Sequence, residues 1–146
     1  MRSKKYGVIA LALFACFALL FCTGGESAAF PGEPAGFSGL TWGTPIDVLE
    51  SLKYVGTDSA GMSLYERAGD ELFFGRARLA AIEYGFENGR LAAVSLKVDS
   101  LLQYLLMKEE AFRRYGRGEE LPGGEDSYVW NGDNTKISLI SNFVVS

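Results

Sequence analysis

The sequence contains no histidine, and both of its cysteines, Cys16 and Cys22, lie within residues 1–29. Histidine and cysteine supply most zinc ligands, and they are the usual bases and nucleophiles of hydrolytic active sites. The rest of the chain therefore has no thiol for a disulfide and no common set of zinc ligands. These absences predict that the protein is not an enzyme and that it holds no metal or cofactor.

Positive charge is also scarce outside the N-terminal segment. The whole chain has 14 basic and 18 acidic residues, and three of the basic and one of the acidic residues lie in residues 1–29. Residues 30–146 thus carry 11 basic and 17 acidic residues, which gives a net charge of −6. Because nucleic-acid-binding domains need a basic surface, nucleic acid is excluded as a predicted partner.

The N-terminus has the pattern of an export signal. Three basic residues precede an apolar run over residues 7–22, and Ser27 and Ala29 are the small residues that a signal peptidase needs before its cleavage site. We predict a signal peptide or membrane anchor in residues 1–29, with membrane contact through residues 6–23. The protein is then periplasmic, secreted or anchored in the membrane at its N-terminus.

Three fates of this segment stay open. Cleavage after Ala29 would release the domain. Retention would leave an anchor, since the run approaches the ~20 apolar residues that a spanning helix needs. Lipidation at Cys22 or Cys16 is the third fate; the bulky Phe21 argues against Cys22, whereas Cys16 follows the better local context Leu13-Phe14-Ala15.

Residues 30–39, FPGEPAGFSG, form a Pro/Gly-rich lead, and residues 40–146 are long enough for a single domain with its own core. Within that domain, Thr44 is a good N-cap and Pro45 suits the first helical position. We therefore predict a short N-terminal helix from Pro45 to about Leu52.

The segment Leu79–Val98, LAAIEYGFENGRLAAVSLKV, predicts a β-hairpin that turns at Asn88-Gly89. Alternation must place the apolar side chains of both strands on one face. A three-residue loop over residues 87–89, which pairs Ile82 with Val94, satisfies this condition. We predict that register, within an antiparallel meander over residues 62–98.

Two further elements follow. Ser100 is a candidate N-cap for a helix from Leu101 to Tyr115 with one apolar arc. The members of this arc are Leu101, Tyr104, Leu105, Ala111, Phe112 and Tyr115, whereas Glu109, Glu110, Arg113 and Arg114 are predicted on the other side. Residues 127–130 and 135–141 predict a second hairpin with a four-residue loop that pairs Tyr128 with Ile137.

The sum of these elements is an α+β domain. An antiparallel sheet, made of the meander and the C-terminal hairpin, packs one face against the long amphipathic helix, because this arrangement buries both apolar surfaces. The short helix that precedes the meander completes the predicted architecture.

Four residues are candidates for a recognition surface: Trp42, Trp130, Arg113 and Arg114. Aromatic residues at strand and helix spacing more commonly pack in a core, and arginines at a helix C-terminus more commonly serve the helix dipole. Trp42 lies in a Gly/Pro-rich stretch, so it either covers the edge of the core or recognises a partner. No catalytic, cofactor-binding or metal-binding residue is predicted.

Three stretches resemble a group of small exported bacterial proteins without assigned function. These are F-x-G-L-x-W-G-T-P at residues 37–45, I-x-Y-G-F-x-x-G-R at residues 82–90 and Y-x-W-x-G-D at residues 128–133. A looser resemblance, by size and export, is to SmpA/BamE-like envelope lipoproteins. Neither resemblance implies a catalytic residue.

The sequence thus predicts an exported cell-envelope protein whose biochemical function is a non-enzymatic one. It would bind an envelope protein or a small ligand, as yet unidentified, through a sheet edge or an aromatic rim. Two alternatives stay open: a structural or inhibitor-like accessory protein of an envelope complex, and a hydrolase that uses a pair of carboxylates.

Overall fold

The computed structural model describes residues 9–15, 30–123 and 126–141. No helix in these ranges is long and apolar enough to cross a membrane. The predicted lipidation sites Cys16 and Cys22, and the predicted cleavage site after Ala29, lie outside the described residues. The predicted export segment is therefore described only over Ile9–Ala15.

The described ranges contain twelve strands, one 3-10 turn and one α-helix. In chain order they are β1 (Ile9–Ala15), β2 (Gly36–Phe37), β3 (Leu40–Thr41), the 3-10 turn (Ile46–Val48), β4 (Leu52–Thr57), β5 (Ser63–Arg67), β6 (Phe73–Phe74), β7 (Ala77–Arg78), β8 (Ala81–Glu87), β9 (Arg90–Val98), α1 (Leu101–Tyr115), β10 (Glu119–Glu120), β11 (Tyr128–Asn131) and β12 (Thr135–Ile140).

Eight strands form one antiparallel sheet in the order β10-β11-β12-β1-β9-β8-β5-β4. The pairs β2-β3 and β6-β7 are separate two-stranded ribbons. The α1 side chains Tyr104, Met107 and Ala111 pack in the core with side chains of β8, β9 and β12. The predicted α+β class, with an antiparallel sheet and one long helix, is confirmed.

The centre of the sheet is occupied by β1. Leu11 pairs with Leu139 of β12 on one side and with Leu96 of β9 on the other. Because β1 is antiparallel to both neighbours, β9 and β12 run parallel to each other, two strand positions apart. Part of the predicted export segment is thus a strand of the folded sheet.

The turn of the central hairpin differs from the prediction. Asn88 and Gly89 have φ angles of 50° and 72°, and Glu87 pairs directly with Arg90. Two consecutive left-handed residues define a tight two-residue turn of the type that Asn-Gly favours. The predicted three-residue loop is therefore wrong.

The register of the hairpin is also corrected. Ile82 pairs with Leu96, not with Val94, and a bulge next to Phe86 leaves Ala92 as the extra residue on β9. With a two-residue turn and no bulge, Val94 and Leu96 would point away from the core. The extra residue at the bulge shifts the alternation of β9 by one position, so both side chains point into the core. The one-face requirement was right, but the extra residue that satisfies it lies inside the strand and not in the turn.

The C-terminal hairpin keeps its predicted face and shifts its register. Tyr128 pairs with Leu139 and Trp130 with Ile137, so the predicted pairing of Tyr128 with Ile137 is wrong by two residues. A shift of two residues leaves every side chain on its original face because strand side chains alternate.

A contact from the distant lead explains this shift. The Glu33 carboxylate accepts hydrogen bonds from the backbone amides of Asp133, Asn134 and Thr135 at 3.1, 2.6 and 2.7 Å. The Thr135 amide is therefore directed to Glu33 and not to the facing strand. The sequence of the hairpin alone does not show this partner.

The predicted helix from Pro45 to Leu52 is not present. Only Ile46–Val48 form a 3-10 turn, and Leu52 already begins β4. The Ile46 amide donates to the Gly89 carbonyl at 2.8 Å, and the Leu91 amide donates to the Thr44 carbonyl at 2.9 Å. The Thr44 carbonyl, which would accept the first hydrogen bond of a helix that starts at Pro45, is thus paired with the central hairpin instead.

The helix α1 has the predicted bounds, and the Ser100 hydroxyl accepts from the Gln103 amide at 3.3 Å as an N-cap. Its buried face differs in part. Met107 is buried, whereas Leu101 and Leu105 are 54% and 43% exposed. The Gln103 amide oxygen accepts from the Arg78 amide at 2.7 Å, so β7 contributes to the orientation of the helix.

Candidate functional site

The strand β4 forms one outer edge of the sheet. Within the described part of the chain, it pairs with β5 and with no strand on its other side. The chain enters β4 from Ser51, whose φ of 61° turns it away from the 3-10 turn, and the Ser51 carbonyl accepts from the Ala68 amide at 3.0 Å. Tyr54, Val55 and Thr57 are residues that favour strands.

A ladder of three aromatic rings runs from this edge into the core. The rings of Tyr54 and Tyr65 are 5.5 Å apart, and those of Tyr65 and Phe86 are also 5.5 Å apart, both in edge-to-face geometry. Tyr54 is 56% exposed, whereas Phe86 is 4% exposed. The buried end of the ladder therefore supports an aromatic ring that faces solvent.

A surface depression of about 440 Å³ lies beside the ladder. The residues that line it are Ile46, Gly61, Ser63, Tyr65, Phe86, Glu87, Asn88 and Gly89. Its volume falls in the range of small-molecule sites. The depression and the β4 edge together form the candidate site, and the turn of the central hairpin lines part of the depression.

Sequence reasoning missed this edge because Thr44 and Pro45 indicated a helix through Leu52. The alternative signal was the run of strand-forming residues after Ser51, bounded by turn residues at Gly56–Gly61. The helix signal was local, whereas the competing hydrogen bond on the Thr44 carbonyl comes from Leu91 of the central hairpin.

Trp42, a predicted recognition residue, is half-buried and makes internal hydrogen bonds. Its indole Nε1 lies 3.0 Å from the Pro34 carbonyl oxygen and 3.1 Å from Thr135 Oγ1. The ring packs against the edge of the core. Of the two roles considered for Trp42, this geometry corresponds to covering the core.

Trp130, the second aromatic candidate, is only 3% exposed. Its Nε1 donates to the Gly116 carbonyl at 2.9 Å. The rings of Phe112, Tyr115 and Tyr128 surround it at centroid distances of 6.0, 6.2 and 6.5 Å. Trp130 therefore packs helix α1 against β11, and it offers little surface to a partner.

Arg113 and Arg114 are exposed, but both bind the same carboxylate. Glu110 accepts from Arg113 Nη2 at 2.6 Å and from Arg114 Nε at 2.5 Å. The hydrogen bond from Arg113 is the main cause that lowers the pKa of Glu110 from 4.5 to about 2, against the effect of burial. Arg114 also lies 4.4 Å from the ring centroid of Phe74. The prediction that Glu110 faces away from the core is wrong, because these pairs allow its burial.

A second neutralised carboxylate lies under the β5-β6 connection. Asp70, with a side chain only 6% exposed, accepts from Arg67 Nε at 2.7 Å and from the Tyr84 hydroxyl at 2.6 Å. Burial, and then the hydrogen bond to Asp70, raise the pKa of Tyr84 well above its usual range. This cluster fixes a connection and contains no free acid or base.

The loop before β11 is held in a similar way. Asp126 accepts from Lys108 Nζ at 2.9 and 2.7 Å and from the Tyr128 hydroxyl at 3.0 Å, and its carbonyl accepts from the Tyr104 hydroxyl. In the ranges that the structure describes, no three carboxylates, histidines or cysteines converge as a metal site would require. The polar clusters that are present serve the fold.

Comparison with known proteins adds no relative: the chain matches no family model, no curated protein and no solved structure. The resemblance in the three sequence motifs therefore stays a prediction, and the geometry described above is the basis for any functional proposal.

Proposed function

We propose that this chain is an exported, non-enzymatic module of the cell envelope that binds a partner protein along the β4 edge. The observation that supports this proposal is the unpaired outer side of β4, together with the exposed ring of Tyr54. A partner segment in extended conformation would add a strand to the sheet through backbone hydrogen bonds.

The aromatic ladder supports the side-chain part of this contact. A tyrosine supplies a large contact area at a small cost in conformational entropy, and it is a frequent hot-spot residue. Tyr54 is supported from behind by Tyr65, so its position is set before a partner arrives. Val55, which is 38% exposed, extends the apolar surface along the same strand.

Two features of β4 restrict which segments can pair with it. Lys53 is exposed on the edge, and a bulge at Val55 interrupts the regular ladder with β5. Charged residues and bulges on edge strands prevent indiscriminate pairing between sheets. We therefore expect a short pairing of a few residues with a specific partner, and not self-association along the whole edge.

The proposal that the protein is non-enzymatic rests on the chemistry of the chain. Residues 30–146 contain neither histidine nor cysteine. Asp70 and Glu110, whose side chains are 6% and 11% exposed, are neutralised by arginines. The alternative, an accessory protein of an envelope complex, would use the same β4 edge. The two candidates therefore differ in biological role but share the contact surface.

The test is quantitative capture from detergent-solubilised envelope with three forms of the full chain. The unmodified chain should retain a stoichiometric partner, and Tyr54→Ala should reduce the retained amount at least tenfold. Leu102→Ala is the matched control, because Leu102 is a 62% exposed apolar residue on α1, outside the β4 edge. Equal retention by Tyr54→Ala and the unmodified chain, or no stoichiometric partner, would contradict the proposal.

The depression beside the ladder favours a second candidate function, the binding of a small ligand. Native mass spectrometry of the protein from its source envelope should then show an added mass. That mass should be lost in Ser63→Trp, which fills the depression, and kept in Ser59→Trp, which changes an exposed serine outside it. The absence of an added mass in both the unmodified chain and Ser59→Trp would contradict this second candidate function.

A further inference from the structure

The strand β1 lies between two strands, β9 and β12, that belong to the predicted mature domain. Residues 93–98 of β9 pair with one side of β1, and residues 135–140 of β12 pair with the other. We call this place the acceptor position. Any strand in it completes hydrogen bonds on both sides, which an outer edge strand cannot do.

The two faces of the acceptor position have different chemistry. On the helix side, Val94, Leu96, Ile137 and Leu139 are each 0% exposed. On the opposite side the neighbours include Ser95, Lys97 and Ser138, which are partly exposed, and Lys136, which is exposed. Since directly paired residues share a face, a strand that fits needs an apolar residue at every second position. Ile9, Leu11 and Leu13 are at those positions in the register.

The predicted cleavage after Ala29 would remove β1 and leave the acceptor position empty. Direct pairing of β9 with β12 would bring two strands from roughly 10 Å to about 4.8 Å apart. Tyr104 and Met107 of α1, both 0% exposed, pack in the core that spans these strands and would have to move.

The N-terminal lead also holds β9 and β12 apart. The Gly43 amide donates to the Leu91 carbonyl near the start of β9 at 2.8 Å, and the adjacent Trp42 Nε1 donates to Thr135 Oγ1 at the start of β12 at 3.1 Å. Glu33 binds the turn before β12 at the same end. These contacts lie in residues 30–146, so removal of residues 1–29 leaves the bridge across the acceptor position in place.

We propose that the acceptor position receives a strand from a partner protein once residues 1–29 have been removed, and that residues 9–15 fill it in the full chain. The partner strand would run antiparallel to β9 and β12 and carry apolar residues at alternate positions. This inference rests on the proposed function, an exported protein-binding module, and it assigns a second and more specific contact to it.

The first experiment tests whether residues 9–15 occupy the position in the full chain. Cys16 and Cys22 are replaced by serine, and Ala12→Cys is combined with Ser138→Cys, because Ala12 and Ser138 are directly paired. Such a pair should form a disulfide under mild oxidation. The matched control, Ala10→Cys with Ser138→Cys, should not, since Ala10 pairs with Ile140. Equal crosslinking in both variants, or none in the first, overturns the proposal.

The second experiment opens the position by Leu11→Pro, because proline cannot donate a hydrogen bond in a central strand. The probe is a fluorescent peptide of residues 8–15 flanked by lysines. It should bind the full-length variant at least tenfold more tightly than the unmodified chain. The same peptide with aspartate at the positions of Leu11 and Leu13 should not bind.

Each other outcome contradicts the proposal. Equal binding to both chains shows an unspecific apolar contact, and no binding to a folded variant shows that the sheet has closed. A dimer that forms without peptide makes a second copy the occupant. If Leu11→Pro does not fold, a protease site is placed after Ala29 in the otherwise unmodified full chain. The folded chain is then cut in the presence of the peptide, and binding of the peptide is measured in the same way. Tyr54 is unchanged throughout, so failure here is separate from failure of the β4 proposal.

Discussion

Tyr84→Phe tests whether the buried hydrogen bond to Asp70 stabilises the fold. Tyr84 is 0% exposed, and its hydroxyl donates to Asp70 Oδ2 at 2.6 Å. The substitution removes one oxygen atom and keeps the ring, which packs at 6.5 Å from the ring of Phe37. The change in stability therefore reports on the hydrogen bond and not on packing.

The magnitude follows from the charge and burial of the acceptor. A hydrogen bond to a charged group contributes about 1.5–3 kcal/mol, and a buried acceptor that loses its donor adds to the cost. Arg67 still neutralises Asp70 after the substitution, with Nε at 2.7 Å from Oδ1. We therefore expect a loss of about 2 kcal/mol in the free energy of unfolding, from the lower part of that range.

The assay is urea denaturation followed by tryptophan fluorescence. Tyr54→Phe is the matched control: its hydroxyl bonds Thr57 Oγ1 at 2.7 Å on the exposed edge, so a change within about 0.5 kcal/mol is expected. A double-mutant cycle with Asp70→Asn should give a coupling energy of about 1 kcal/mol or more. A stability of Tyr84→Phe equal to that of the unmodified protein, or a coupling energy near zero, would refute the reasoning.

Three further predictions concern contacts that fix the fold. The pKa of Glu110 is lowered to about 2, so its pairing should contribute stability that is complete above pH 4.5 and is lost as the pH falls toward 2. In Glu110→Gln, the free energy of unfolding should therefore depend less on pH between 4.5 and 2. A pH dependence equal to that of the unmodified protein would contradict this. Glu33→Gln weakens the hydrogen bonds from three turn amides and should lower the free energy of unfolding by about 1–2 kcal/mol. The control Glu50→Gln changes an exposed side chain and should lower it little. Equal denaturation midpoints of the two variants would contradict this prediction. Gly118→Ala places a Cβ 2.7 Å from Trp130 Cε2, so the melting temperature should fall and tryptophan fluorescence should shift; an unchanged melting temperature would show that the ring moves freely.

The long helix and the apolar faces of the two hairpins could be predicted because their signals are local. Alternation identifies the buried face of a strand, and Ser100 and Gly116 mark the ends of α1. The registers could not be predicted in full, because more than one register places the apolar side chains of a hairpin on one face. The bulge at Ala92 and the contact of Glu33 with the second turn select the register, and the local sequence does not show either of them.

The candidate site was less accessible to sequence reasoning. Trp42 and Trp130 were candidates because of their residue type and, for Trp42, its Gly/Pro-rich stretch, and tertiary contacts place their indole N–H groups in internal hydrogen bonds. The β4 edge was missed because the helix signal at Thr44-Pro45 is local, whereas Thr44 and Ile46 form backbone hydrogen bonds with the central hairpin. In both cases the deciding partners are distant in the chain.

The sequence by itself determined the α+β class, the bounds of α1 and the absence of histidine and thiol chemistry after residue 29, because composition and local periodicity decide these properties. Only the tertiary structure decided which strands are neighbours outside the two predicted hairpins. It placed Ile9–Ala15 between β9 and β12, and it left the outer side of β4 unpaired among the described strands. The physical reason is that strands not joined by a short turn pair through hydrogen bonds between distant segments, and no local pattern encodes the identity of such a neighbour.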